Sequence, residues 1–176
     1  MNKKLRAIVC VDENWCINTG NKRLLCIKEG MRNFREMTYG KTVIMDKNTM
    51  MSLPNPEKNL ANRNNIVFTQ KDDGIDKNMC QIAHNQNELW ELLKNSPGYR
   101  DPIVIGNSTF YKLLMPYYHV IHVTKIFESK PNAGQFFPNL DTDDRWEVAY
   151  QSDIKTEIIS HGKKIKYQIC TYTRKQ

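Results

Sequence analysis

Apolar and polar positions along this chain switch repeatedly between a strand-like and a helix-like period. Residues 5–11 carry a continuous apolar run from Ala7 to Val11, the pattern of a strand buried on both faces of a sheet. Met31, Phe34 and Met37 then recur at a spacing of three, which predicts a short amphipathic helix over residues 29–38. Residues 42–45 read as a short strand, and Asp46 stands where a helix N-cap belongs, ahead of a helix over residues 47–52. Leu53-Pro54-Asn55-Pro56 ends it. Residues 86–94, with Leu89, Trp90, Leu92 and Leu93, predict another amphipathic helix, and residues 108–114 a short one. Strands are expected at 65–69, 102–105, 117–125, 146–151 and 165–172. Strand–helix alternation followed by strands alone predicts an α/β fold. Its central sheet should have about eight strands, mostly parallel, with an antiparallel C-terminal edge and about four flanking helices. A chain of 176 residues is expected to form one domain over residues 1–176.

Composition narrows the function. Apolar residues make up 40% and charged residues 26%, which excludes a disordered chain, and no apolar run approaches the length of a membrane span. The apolar run after the N-terminal lysines is too short for a signal sequence, so a cytoplasmic monomer is expected. The net charge of +7 is spread along the sequence rather than gathered in a stripe with aromatics. This points away from a nucleic-acid partner and toward a soluble surface or anionic small molecules. Five cysteines without a CxxC spacing or a cysteine–histidine cluster give neither a disulfide framework nor a metal site. In a largely parallel sheet, ligands bind outside the carboxyl ends of the strands. Those ends are Val11-Asp12, Met45-Asp46, Thr69-Gln70 and Ile105-Gly106.

Several segments taken together are more telling. They are residues 7–17 (AIVCVDENWCI), 34–45 (FREMTYGKTVIM) and 59–67 (NLANRNNIV), then Val104-Ile105-Gly106 with Phe110-Tyr111, then Val123-Thr124, then Phe136-Phe137-Pro138. In order and spacing, along nearly the whole chain, they resemble the dihydrofolate reductase family. The resemblance implies that family's three-layer fold and a reductase carrying hydride from NADPH to the pterin of dihydrofolate. Such chemistry uses a buried carboxylate on the first helix to grip the pterin and promote its protonation. Two glycine-preceded helix starts hold the NADPH phosphates, basic residues hold the 2′-phosphate, and an arginine forks onto the substrate carboxylate. By resemblance, Phe34, Leu53, Leu60, Arg63, Ile105 and Thr124 fall on the substrate side. Ile17, Lys47, Thr49, Thr69, Gly106, Asn107 and Tyr111 fall on the cofactor side.

The departures from the family fall on the chemistry. With Phe34 fixed on the family's helix phenylalanine, the acid position is Gly30. Glu29 is the adjacent carboxylate and the candidate catalytic residue, but one helical step turns a side chain by about 100°, away from the pterin. Where the family has a tryptophan-containing turn and a proline, this chain reads Arg23-Leu24-Leu25-Cys26-Ile27-Lys28. Cys16 and Asn18 replace loop glycines, and Gly134 replaces the aspartate that closes that loop. Asp46-Lys47 stands for a Gly-Arg pair, which puts a carboxylate where pyrophosphate belongs and removes the arginine fork. Gly106-Asn107 stands for a Gly-Gly pair that the family joins by a cis peptide, and a cis bond to a non-proline residue costs roughly 3 kcal/mol. Both turns are expected to be capped by their own side chains, Asp46 by bonding the turn of residues 48–49 and Asn107 or Ser108 by doing likewise. The expected protein is therefore a family member whose dihydrofolate turnover is lost or strongly weakened. Two alternatives stay open: a working divergent enzyme using Glu29 or water as proton source, or a same-fold reductase of another pterin- or pyrimidine-like substrate.

Overall fold

The computed structural model describes residues 4–17, 27–54, 59–96, 101–128 and 134–176. Asn18, the segment 23–26 and the pair 55–56, all singled out above, lie outside the described residues. Among the described residues, nine strands form one sheet: β1 Leu5–Val11, β2 Thr42–Asp46, β3 Asn64–Phe68, β4 Gln81–Ala83, β5 Ile103–Val104, β6 Tyr118–Ile126, β7 Trp146–Gln151, β8 Lys155–Ile158 and β9 Lys164–Arg174. Among the described residues, four α-helices flank it: α1 Lys28–Thr38, α2 Lys47–Met51, α3 Gln86–Asn95 and α4 Ser108–Leu114. The strand order is β4-β3-β2-β5-β1-β6-β9-β7, with β8 also paired to β9. Every ladder from β4 to β6 is parallel. Those that β9 makes with β6, β7 and β8 are antiparallel.

The continuous apolar run of β1 ends up where both sheet faces are covered. Its register pairs Ala7 with Val104 on one side and with Ile121 on the other. Successive β1 side chains point to opposite faces. Leu5, Ala7, Val9 and Val11 join one core with Leu89, Trp90 and Leu93 of α3 and Phe110, Tyr111 and Leu114 of α4. Ile8 and Cys10 join the other, with Phe34 of α1 and Met50 of α2. Each large side chain so buried contributes about 1.5–3 kcal/mol. These two cores make the three layers.

Two strands, β4 and β8, carry no clear apolar signal. β4 has three residues, and β8 (Lys-Thr-Glu-Ile) is almost wholly exposed. β8 nevertheless matters to α1. That helix begins at Ile27-Lys28 with no side-chain cap of its own. The Glu157 carboxylate of β8 accepts the Lys28 N–H at 3.0 and 3.1 Å and supplies the missing cap from across the fold. β5 is shorter than the expected 102–105. Pro102 has no N–H to give, and its carbonyl accepts from Arg6 N just outside the strand.

Candidate functional site

The carboxyl ends of β2, β3 and β5 open into a cavity of about 510 Å³, lined among others by Asp46, Lys47, Thr69, Asn107 and Gln135. Asp46 dominates it. The Thr49 N–H donates to its Oδ1 at 2.8 Å and the Thr49 hydroxyl to its Oδ2 at 3.0 Å. The Asn107 N–H donates to the same Oδ2 at 3.4 Å. One carboxylate thus joins the start of α2 to the turn before α4. Asn107 caps α4, its side-chain oxygen accepting from Phe110 N at 3.0 Å. Ser108 instead donates to the Phe136 carbonyl at 2.6 Å. No cis peptide bond occurs among the described residues, so Gly106–Asn107 is trans.

Gly106 is held to glycine by close approach. A Cβ there would stand 2.7 Å from Phe110 Cδ1 and 3.2 Å from Asp46 Oδ2. Phe110 is buried and packs on Phe68, so it has little room to yield. Gly106→Ala should cost about 1–3 kcal/mol of stability, read as a lower midpoint in urea. An unchanged midpoint would show that Phe110 repacks freely.

Lys47 lines the cavity with its charge already engaged. Its Nζ donates to the Asp73 carbonyl at 2.6 Å and lies 3.5 Å from the Asp73 carboxylate. Thr69 is folded onto its own loop: its hydroxyl donates to the Lys71 carbonyl and accepts from the Lys71 N–H. The Lys71 side chain is exposed. The other cofactor-side residues do not line the cavity. Thr49 is buried beneath Asp46. Ile17 is buried in the core with Trp15 and Phe137. Tyr111 is fully buried, its hydroxyl donates to the Ile8 carbonyl at 2.5 Å, and burial pushes its pKa up. Gln135, Asn48, Thr109 and Leu113, which the sequence reading did not pick, do line the cavity. Gln135 comes from a segment that pairs with the loop after β1: its carbonyl accepts from Ile17 N and from Cys16 Sγ.

The second part of the site is a cavity of about 20 Å³ between α1 and β6, bounded by Gly30, Asn33, Phe34, His122 and Thr124 with apolar neighbours. Gly30 and Phe34 are one helical turn apart and share its face. Glu29 points elsewhere. Its carboxylate accepts from Lys155 Nζ at 2.7 Å and from the Tyr167 hydroxyl at 2.5 Å, with Arg32 3.9 Å away. The helical step from Gly30 turns this carboxylate toward Lys155 of β8 and Tyr167 of β9, and Glu29 does not line the cavity. Leu53 and Ile105 are buried in the same core as Phe34, with Leu60 packed against it, but none of the three lines this cavity. Arg63 is tied down: Nε donates to Thr38 Oγ1 at 3.1 Å, and its terminal nitrogens donate to the carbonyls of Ala61 and Arg35. These bonds engage three of its five N–H donors.

The hydrogen bonds from Lys155, then Tyr167, hold the Glu29 carboxyl below the usual glutamate range. Its contribution to stability is therefore complete above the unfolded value of about 4.3 and is lost as pH falls through the lower folded value. Glu29→Gln should lower the urea midpoint at pH 7 and shrink the further loss between pH 5 and pH 3. An equal acid loss in both proteins would show that the carboxylate is no better held than in the unfolded chain.

Among the described residues, no group of three or more His, Cys, Asp or Glu side chains could hold a metal ion. Also among them, no helix is long and apolar enough to cross a membrane.

The family model for dihydrofolate reductase matches residues 4–174. The dihydrofolate reductase of Neisseria meningitidis serogroup B is 28% identical over 172 residues, covering 97% of this chain and 98% of that one. That of Staphylococcus haemolyticus is 27% identical over 154 residues, 88% of each chain. A solved structure, the Enterococcus faecalis dihydrofolate reductase complexed with NADP(H) and RAB-propyl, superposes with a TM-score of 0.78 at 23% identity. It covers 100% of this chain and 99% of that one, and so shares its fold. With a family match spanning nearly its whole length, the chain belongs to the dihydrofolate reductase family.

Proposed function

We propose that this chain is a dihydrofolate reductase family member in which NADPH-dependent reduction of dihydrofolate is lost or strongly weakened, while a pocket for a folate- or pterin-like ligand persists. The observation that carries the reading is Gly30. The family acid position bounds the small cavity beside Phe34 and Thr124 and offers no oxygen or proton. Hydride addition to the pterin needs its ring nitrogen protonated, and a positioned acid contributes about 10²–10⁴-fold to such a step. The neighbouring carboxylate, Glu29, is bound by Lys155 and Tyr167 and cannot reach the ring from there. Arg63 stands at the substrate-side position with three of its five N–H donors engaged, which supports the surviving substrate side.

The phosphate end does not fit NADPH pyrophosphate. The N–H groups of Thr49 and Asn107 are already taken by the Asp46 carboxylate, which would repel a phosphate. Lys47 is held by Asp73. The test is NADPH oxidation with dihydrofolate at pH 7, with NADPH and methotrexate titrations on the same preparation. Very weak turnover is expected, and ordinary turnover overturns the reading. If Glu29→Gln then abolished that turnover, Glu29 would be the replacement acid. Tight NADPH binding without turnover would instead indicate a reductase of another pterin- or pyrimidine-like substrate.

A further inference from the structure

The small cavity has a polar group on the strand side. β6 pairs His122 with Ile8 of β1 and with Thr171 of β9, so the histidine sits in the middle of three strands. His122 and Thr124 are two residues apart, on one face of β6, and both bound the cavity opposite Gly30. The imidazole is anchored at one end: Nδ1 lies 3.2 Å from Thr171 Oγ1. Nε2 is buried and has no hydrogen-bond partner. Among the described residues with such an unpartnered buried side-chain atom, His122 is the one that lines this cavity.

Leaving a buried polar atom unpaired costs about 1–3 kcal/mol, and such atoms in native folds generally meet water or a ligand. A cavity of about 20 Å³ has room for one water-sized polar atom. We propose that His122 is the ligand-anchoring residue of this cavity, presenting Nε2 to the one uncharged polar atom, at the edge of a pterin-type bicyclic ring, that the cavity admits. The hydrogen-bonding group of the pocket has then moved from the helix, where Gly30 offers nothing, to the strand facing it. This rests on the reading above that the cavity is the surviving pterin site.

The change of group changes what the pocket selects. Burial, with Arg6 and His119 nearby, lowers the His122 pKa to about 4, so the ring is neutral at pH 7. A neutral imidazole offers one donor or one acceptor and cannot ion-pair with a protonated ring. The pocket therefore favours a neutral pteridine such as that of folic acid over diaminopyrimidine-type antifolates, which bind as cations against a carboxylate.

Folic acid titrated into the ¹⁵N-labelled chain tests this, with the imidazole nitrogens read by long-range ¹H–¹⁵N correlation and affinity read by tryptophan fluorescence. The His122 Nε2 resonance should shift on binding. His122→Phe should weaken folic acid about three- to tenfold, and His122→Gln should recover part of the loss. The Nε2 readout needs only the unmodified chain, so a poorly folding variant does not remove the test. Folic acid binding with Nε2 unmoved and His122→Phe unimpaired overturns the proposal, as does failure of the unmodified chain to bind folic acid. The first result leaves the proposed function standing; the second also removes its surviving ligand pocket, while weak turnover fails only if dihydrofolate is reduced at an ordinary rate.

Discussion

Gly30→Asp should raise methotrexate affinity by about 10- to 100-fold, the worth of a hydrogen bond to a charged group. Position 30 bounds the same cavity as Phe34 and Thr124, so a carboxylate there meets the cationic edge of the antifolate. Turnover of dihydrofolate should rise as well, but by less, because the phosphate end is still occupied by Asp46. Fluorescence titration with methotrexate and steady-state NADPH oxidation on one preparation read the two effects separately. Unchanged methotrexate affinity would mean that this face of α1 is not the pterin wall. A turnover gain larger than the affinity gain would mean that the cofactor end was never limiting.

Asp46→Gly should act at the other end and with two opposite signs. Removing the carboxylate frees the N–H groups of Thr49 and Asn107 and takes a negative charge away from the place where pyrophosphate would lie. Like charges about 5 Å apart repel by roughly 3 kcal/mol at an effective dielectric of 20, so NADPH binding should tighten by about tenfold or more. Stability should fall by about 1 kcal/mol, because the cap of α2 and the tie to Asn107 go together. Calorimetric titration with NADPH and a urea melt check the two signs. Tighter binding with lower stability is expected. Unchanged NADPH affinity would show that Asp46 does not compete with phosphate.

The sequence was informative where a local rule decides the outcome. The uninterrupted apolar run of β1 placed it inside the sheet, and α4 lies at the bounds its pattern predicts. Asp46 accepts from the N–H expected of an N-cap. The 100° helical step turned Glu29 away from Gly30, as its bonds to Lys155 and Tyr167 show. What was hidden depends on contacts between distant segments. Nothing around Lys47 announces that Asp73 holds it, or that Glu157 caps α1 from β8. Gln135 reaches the larger cavity because its segment pairs with the loop at Cys16. His122 was the accessible omission: it lies two residues before Thr124, so period-two alternation alone puts both on one face.

The central place of β1 also fixes a timetable. Its neighbours, β5 and β6, begin only at residues 103 and 118, so its ladders stay open until roughly 90–110 further residues exist. At ribosomal speeds of about 5–20 residues per second, the run from Ala7 to Val11 waits roughly 5–20 s for its partners. During that interval it is a bare apolar segment in need of shelter, and its docking is a late, long-range closure whose loop entropy slows folding. The strand that anchors the finished sheet is thus among the first apolar segments made and must wait for both of its neighbours.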